Sequence, residues 1–430
     1  MREGILLHMM KITGFKRRAK QGVVSLFAGV LFLSAGHTAV NAQEVTGTEP
    51  FKIVTLGDSI TVGYEPGMED YSTAPYGYVE RLLEQGLLHE RTVVTNYGIG
   101  GLKSNGLKQF TEAILNKKSV TPEDIQPGLP DARVASYMAS IAQINQDVAE
   151  ADVITITIGG NDVSELLVTA DEMNASDLHR RVEELLAKYT LEVTAAVQQL
   201  HTMNGDAMIV LADQYQPVPK VGNAGLYAKL MEASAAFTRT VDALATELST
   251  QGVSIKVAHI AEAFVGGEGT MTHMIGSRDF HPNQLGYEAI AKIFAETIWG
   301  QYVKLKAVEA GEPMNIIVSG QLLNTPYKPV LRNNQNYVAI QDIVSAVGAK
   351  SQWIHEAKAT MITYNANRVQ IQIDKPSVLV NDQLIPVKNA PFLHQVGKEA
   401  KTYVPLALIA EGLGYDVQYN AKLKTVFINP

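Results

Sequence analysis

Residues 51–61 read FKIVTLGDSIT, and the fold turns on them. Lys52–Leu56 is a short apolar run without strict alternation, and it stops at Gly57-Asp58-Ser59, where a strand can turn into a helix. Four more such runs follow at long intervals: Thr92–Asn96, Asp152–Ile158, Ala207–Ala212 and Ser254–His259. Amphipathic stretches, among them Leu185–Leu200 and Tyr227–Leu248, lie between them. Apolar strands separated by helices predict a parallel five-stranded sheet covered on both faces, a three-layer αβα sandwich. In such a sheet, sites form at the C-terminal ends of the strands. A closing helix is predicted over Pro282–Trp299, with Pro282 in its first turn and an apolar stripe of Leu285, Ala289, Ile290, Ile293, Phe294 and Ile298.

At 430 residues, the chain has room for two or three domains. Its net charge of −8 conceals a more acidic body. Residues 1–42 carry six basic residues and one acidic one, and the remainder holds 30 Lys and Arg against 43 Asp and Glu, a balance of −13. Nucleic acid is therefore not an expected partner, because phosphate binding needs clustered Lys and Arg. The absence of cysteine excludes a disulfide framework, a thiolate metal site and a Cys nucleophile.

Residues 1–42 read as a secretory signal peptide. The basic run Lys16–Lys20 precedes the apolar stretch Gly22–Gly36, and Val40-Asn41-Ala42 supplies small residues around a cut after Ala42. The apolar stretch is short for a membrane span, which needs about 20 residues. A secreted or surface-associated protein without a transmembrane span after cleavage is expected.

From Pro313 the texture changes to an internal repeat. Tyr337-Val338-Ala339-Ile340 through Gly348 and Gln352 matches Tyr403-Val404-Pro405-Leu406 through Gly414 and Gln418, with each position offset by 66 residues. Each copy reads as a short helix, a glycine stop and a strand pair, preceded by a strand and turn (Ile316–Gln321; Val378–Gln383). This small α+β module resembles the copper amine oxidase N-terminal-like, or stalk, domain. His355 and His394 are its only histidines and lack ligand spacing, so a structural or cell-wall attachment role is expected rather than copper binding. The domains are thus taken as 1–42, 51–305 and 313–430.

Four blocks in the first region carry chemistry. Gly57-Asp58-Ser59 can present a hydroxyl above the sheet, although the same triplet makes ordinary turns and caps. Asn96–Gly101 (NYGIGG) follows the second strand, and its glycines allow a backbone N–H to approach a developing oxyanion. It is not a dinucleotide fingerprint, since Lys103 stands where a third glycine is needed. Gly159-Gly160-Asn161-Asp162 places an amide after the third strand, or simply caps a turn. Arg278–Asn283 (RDFHPN) sets His281 beside a carboxylate at the start of the last helix.

Together, Ser59, Gly101, Asn161 and His281 resemble the SGNH hydrolases, the GDSL esterase/lipase superfamily, over about residues 51–302. The resemblance implies a flavodoxin-like αβα fold and a serine esterase, which the N-terminal signal would make a secreted one. It makes Ser59 the nucleophile and His281 the general base, with Gly101 and Asn161 in the oxyanion hole; Gly98 and Gly100 are alternatives to Gly101. It implies small-molecule, lipid or glycan ester substrates and no metal or organic cofactor. One departure stands out. The family's acid lies three residues before the histidine, where this chain has Arg278. Asp279 could reach the ring if the segment is extended, since residues i and i+2 then share a face. Alternatively, the Arg278 carbonyl orients the ring and leaves a dyad. Segments Lys103–Tyr137, Asp162–Arg180 and Gln214–Tyr227 are expected to shape the pocket. The competing reading is a surface binding protein with a degenerate hydrolase domain.

Overall fold

Five parallel strands form the central sheet in the order β2-β1-β3-β4-β5. They are β1 (Phe51–Gly57), β2 (Thr92–Gly98), β3 (Val153–Thr157), β4 (Met208–Ala212) and β5 (Ile255–Ala258). The computed structural model describes residues 49–69 and 74–430, so the signal-peptide reading lies outside the described residues. Among them, no helix is long and apolar enough to cross a membrane.

Each run predicted as a strand forms one, and the three inner strands β1, β3 and β4 bury both faces, while the edge strands β2 and β5 are partly exposed. Alternate residues serve opposite layers. Val54, Leu56, Ile154, Ile156, Ile209 and Leu211 pack with Phe110, Tyr189, Val193 and Phe237 on one side. Those four belong to helices α3 (Ser104–Leu115), α4 (Ala175–Met203) and α5 (Ala224–Thr250). Ile53, Val153 and Val210 pack on the other side with Tyr78, Ile290 and Phe294, from α2 (Tyr78–Gly86) and α6 (Gln284–Trp299). Tyr78 stacks on Phe294 with ring centroids 4.7 Å apart, which ties α2 to α6. A strand order of this kind reverses direction beside β1, and the crevice outside the strand ends opens there.

The last helix differs from its sequence reading in two ways. It begins at Gln284, capped by the Asn283 side chain, which accepts the Leu285 and Gly286 N–H groups, so Pro282 precedes the cap. Its buried face is Tyr287, Ile290, Ala291, Phe294 and Ala295, while Leu285 is 58% exposed. The tyrosine side chain, apolar along most of its length, displaced the leucine as the inward anchor.

The C-terminal module is mainly strands, with one short helix per repeat (Ile340–Ala346 and Leu406–Gly412). Gly348 and Gly414 follow these helices at φ +68 and +94, the left-handed stop that the repeat predicts. The two copies meet in antiparallel register, with Val338 directly opposite Val404. The strand Thr425–Asn429 pairs in parallel with Asn315–Val318, so the end of the chain closes onto the module's beginning.

The connection between the regions is tied down rather than free. Val303 exchanges backbone hydrogen bonds with the Gln85 side chain, and Val308 N–H donates to the Leu423 carbonyl. Ile317 and Phe427 pack on Leu87. The Asn429 amide donates to the Leu87 carbonyl at 3.0 Å, and the Gln418 amide to the Thr92 carbonyl at 3.0 Å. Apart from the Val308–Leu423 bond, which ties the connection to the module, these contacts lie at the end of α2 and the start of β2, the opposite end of the sheet from Ser59.

Deleting residues 306–430 should therefore leave residues 49–305 folded, because both layers flanking the sheet are complete without the module. It should also expose Leu87 and lower Tm, by roughly 2–4 °C for each kcal/mol of interface lost. Circular dichroism melts test this: a lower but cooperative transition is expected, and a fragment with no cooperative transition would contradict it.

Candidate active site

The site is assembled where β1, β2 and β3 end side by side. Gly57 pairs with Gly98 on one side and Thr157 on the other. It adopts φ +138, and a Cβ there would stand 2.1 Å from the Thr157 carbonyl oxygen, so only glycine fits. Asp58 N–H donates to that same carbonyl at 3.0 Å. The Asp58 carboxylate caps α1 (Ser59–Val62) by accepting the Ile60 N–H and takes a second bond from Thr157 Oγ1 at 3.1 Å. The turn after β1 is thus locked to the end of β3, and Ser59 is its first helical residue.

Ser59 Oγ lies 2.8 Å from His281 Nε2 across 222 residues of sequence. His281 Nδ1 lies 2.7 Å from Asp279 Oδ1. The same Asp279 oxygen accepts the His281 backbone N–H at 2.8 Å. Asp279 therefore reaches the ring by folding its side chain back over the next two residues, and not through a shared strand face. Arg278, exposed and at φ +56, makes the turn that permits this. No hydrogen bond joins its carbonyl to the ring among the described residues. Burial would raise the Asp279 carboxyl, but the bonds and charge of His281 outweigh it and hold the group below the usual carboxylate range.

Backbone and aromatic contacts fix the imidazole further. His273 N–H donates to the His281 carbonyl at 3.0 Å. Tyr64 and Phe280 rings pack against the imidazole, with centroids 4.5 and 4.4 Å away. Tyr64 is itself held by Tyr287, whose hydroxyl donates to the Tyr64 carbonyl at 2.6 Å.

The other two blocks lie against each other. The Asn161 amide donates to the Leu102 carbonyl at 2.8 Å, which uses one of its two N–H bonds. Asp162 accepts the Ser104 N–H and hydroxyl. Gly100 N–H is engaged with Asp131 Oδ2 at 2.9 Å, and Gly98 N–H with Asn96 Oδ1 at 2.9 Å. Gly101, at φ +79, and Ser59 have N–H groups that donate to nothing among the described residues. Of the three glycines weighed from the sequence, Gly101 alone keeps a free donor.

Several contributors escaped the sequence reading. Tyr64 carries no motif. Thr157 looks like any strand residue. Asp131, clamped by the guanidinium of Arg133 at 2.6 Å, sits in a loop with no helical or strand period. Among the described residues, no group of three or more His, Cys, Asp or Glu is arranged to hold a metal ion.

A serine, a histidine and a carboxylate in line at the C-terminal edge of a parallel sheet define a hydrolase-type α/β protein. Residues 55–289 match the family model for the GDSL-like Lipase/Acylhydrolase family, and the chain belongs to that family. Residues 317–428 match the copper amine oxidase N-terminal domain. The chain is 24% identical over 285 residues to the uncharacterized protein YpmR of Bacillus subtilis (strain 168), covering 64% of this chain and 94% of that one. Similar solved structures include the lipase Lip_vut3 from a goat rumen metagenome, at 23% identity and TM-score 0.40 over 57% of this chain and 95% of that one. Another is phospholipase A1 from Streptomyces albidoflavus NA297, at 16% identity and TM-score 0.38 over 58% of this chain and 100% of that one.

Asp58 offers a test of the locked turn. Burial pushes its carboxyl up to about 7, against the opposing bonds from Ile60 and Thr157. With an unfolded value near 4, the native state holds the extra proton between about pH 4 and 7, so this group's contribution to stability falls as pH rises through that window. Asp58→Asn keeps an acceptor for the cap and cannot ionise. The Tm of the variant minus that of wild type should rise from about pH 5 to pH 7.5; a value that stays constant or falls over that range would contradict the assignment.

Proposed function

We propose that this protein is a secreted serine ester hydrolase that cleaves carboxylic esters through an acyl-enzyme on Ser59. The observation that carries the reading is the line from Ser59 Oγ through the His281 ring to Asp279, at 2.8 and 2.7 Å. His281 Nε2 accepts the Ser59 proton as Oγ attacks the ester carbonyl. Asp279, kept ionised, holds the ring in the tautomer that leaves Nε2 free to accept, and balances the imidazolium that forms. The Ser59 and Gly101 N–H groups and the second Asn161 N–H receive the oxyanion, each such donor being worth about 2.7–4 kcal/mol of barrier. His281 then protonates the departing alcohol, and water repeats the sequence on the acyl-enzyme. These steps call for no metal or organic cofactor.

Export is supported by the basic and apolar N-terminus ending at Val40-Asn41-Ala42. Residues 313–430 are proposed as a module for cell-wall or surface association. The competing reading, a binding protein with a degenerate site, drew its support from Arg278 standing where the family carries its acid. The Asp279 contact supplies the carboxylate that this reading takes to be missing.

Two substitutions test the roles. Ser59→Ala should remove ester hydrolysis by several orders of magnitude while the fold persists. Asp279→Asn should lower kcat by about 10⁴-fold, because the amide stabilises the wrong tautomer. Steady-state kinetics on p-nitrophenyl acetate check both. If Ser59→Ala kept more than about a tenth of kcat, the nucleophile would be elsewhere; a few-fold loss in Asp279→Asn would leave a Ser–His dyad.

A further inference from the structure

Two residues of the C-terminal module touch a side-chain cluster that begins just before α2. The Asn420 amide donates to Glu84 Oε1 at 2.6 Å, and the Tyr76 hydroxyl donates to the same oxygen at 2.8 Å. Lys422 Nζ stands 5.3 Å from the centre of the Tyr76 ring, and the Arg81 guanidinium 4.1 Å from it. Asn420 is itself aimed by its own turn, since its Oδ1 accepts the Leu423 N–H at 2.9 Å.

Arg81 is the unusual member of the cluster. It is only 7% exposed, and among the described residues no carboxylate pairs with it directly. A buried cation without such a partner is costly. Its donors go to neutral oxygens instead: the Tyr76 and Gly77 carbonyls at 2.7 and 2.8 Å, and Gln284 Oε1 at 2.9 Å. The opposing charge is Glu84, also buried, which binds the hydroxyl of the ring that the guanidinium covers. The cluster thus fixes the entry to α2 against the first residue of α6, and the module supplies the second bond to its anion.

From Gln284 the contacts run on to the site. Gln284 Nε2 donates to Glu65 Oε1 at 2.6 Å, and Glu65 Oε2 lies 3.6 Å from His273 Nε2. Glu65 follows Tyr64, whose ring covers the His281 imidazole, and the His273 N–H holds the His281 carbonyl. Two supports of His281 therefore meet at Glu65. The module's contacts at Leu87 and Thr92 have no such continuation, because Asn429 and Gln418 end there on backbone carbonyls.

We infer that Asn420 of the C-terminal module is a positioning residue for His281, acting through Glu84, Tyr76, Arg81, Gln284 and Glu65. The inference rests on the Ser59 hydrolase reading above and gives the module a part in that reaction beyond surface association.

The test uses the full chain, with kcat and KM measured separately on p-nitrophenyl acetate, and the rate at which an alkyl fluorophosphonate labels Ser59. Asn420→Asp keeps the acceptor for the Leu423 N–H and sets a carboxylate against Glu84 in place of the donor. It should lower kcat and the labelling rate about tenfold and leave KM within about twofold. Gln284→Ala, at an exposed position next to Glu65, should lower kcat about 10²-fold, the cost of a displacement of about 1 Å. In the Gln284→Ala background, Asn420→Asp should change kcat less than about twofold, because the route it acts through is already cut. Gln418→Leu weakens the same interface away from that route, and should lower Tm while leaving kcat within about twofold. Wild-type kcat in Asn420→Asp would overturn the proposal, as would an equal loss in Gln418→Leu or an undiminished effect in the Gln284→Ala background. Should Asn420→Asp not fold, Asn420→Ala takes its place; should Gln284→Ala not fold, the contrast with Gln418→Leu decides. Wild-type turnover that the variants match sinks only this proposal, whereas no turnover on any ester and no labelling sinks the hydrolase reading and this proposal with it.

Discussion

At Gly57 the first strand ends with no room for a side chain, and the geometry of the site descends from that contact. The Thr157 carbonyl oxygen occupies the space a Cβ would need and accepts the Asp58 N–H. Asp58 then spends its buried carboxylate on the Ile60 N–H and the Thr157 hydroxyl. A four-residue helix has too few internal bonds to hold itself in place. Here its start is fixed by a neighbouring strand, and Ser59 inherits the rigidity of the sheet. The arrangement keeps an ionisable group in a dry position, so stability is given up where the hydroxyl must be aimed.

The rest of the molecule brings His281 to that hydroxyl. The histidine lies on an irregular segment, which would wander without support. Asn283 caps α6 just after it, and α6 is held to the sheet by Tyr287, Ile290 and Phe294. Tyr287 also reaches forward to the Tyr64 carbonyl, and Tyr64 covers the imidazole. One helix thus couples core packing to the position of His281. Substitutions that loosen α6 should reach the site through this chain of contacts, although none of those core residues touches the reacting atoms.

The fold was legible because its inner strands β1, β3 and β4 are buried on both faces, which leaves short apolar runs spaced between longer amphipathic stretches. The module was legible because its two copies keep the same tyrosine and glycine landmarks, and the structure sets Val338 against Val404 as a repeat should. The start and inward face of α6 were misread for local reasons: proline marks a helix start without saying whether it lies inside, and a tyrosine can outcompete a leucine for the core. The turn of Asp279 back over His281 depends on Arg278 adopting a left-handed conformation, which spacing alone does not reveal. Beyond reach were contacts between distant segments of ordinary composition, such as Asp131 on Gly100 or Phe427 on Leu87. Nothing local distinguishes those residues from others like them.

The central claim is that Ser59 is a nucleophile activated by His281. The most direct measurement is peptide mapping by mass spectrometry after treating the full chain with an alkyl fluorophosphonate, which reacts with activated serines. The account predicts one adduct per chain, on the peptide containing Gly57-Asp58-Ser59, with labelling lost in His281→Ala. No adduct under conditions that label a known serine esterase, or an adduct on another serine, would contradict it.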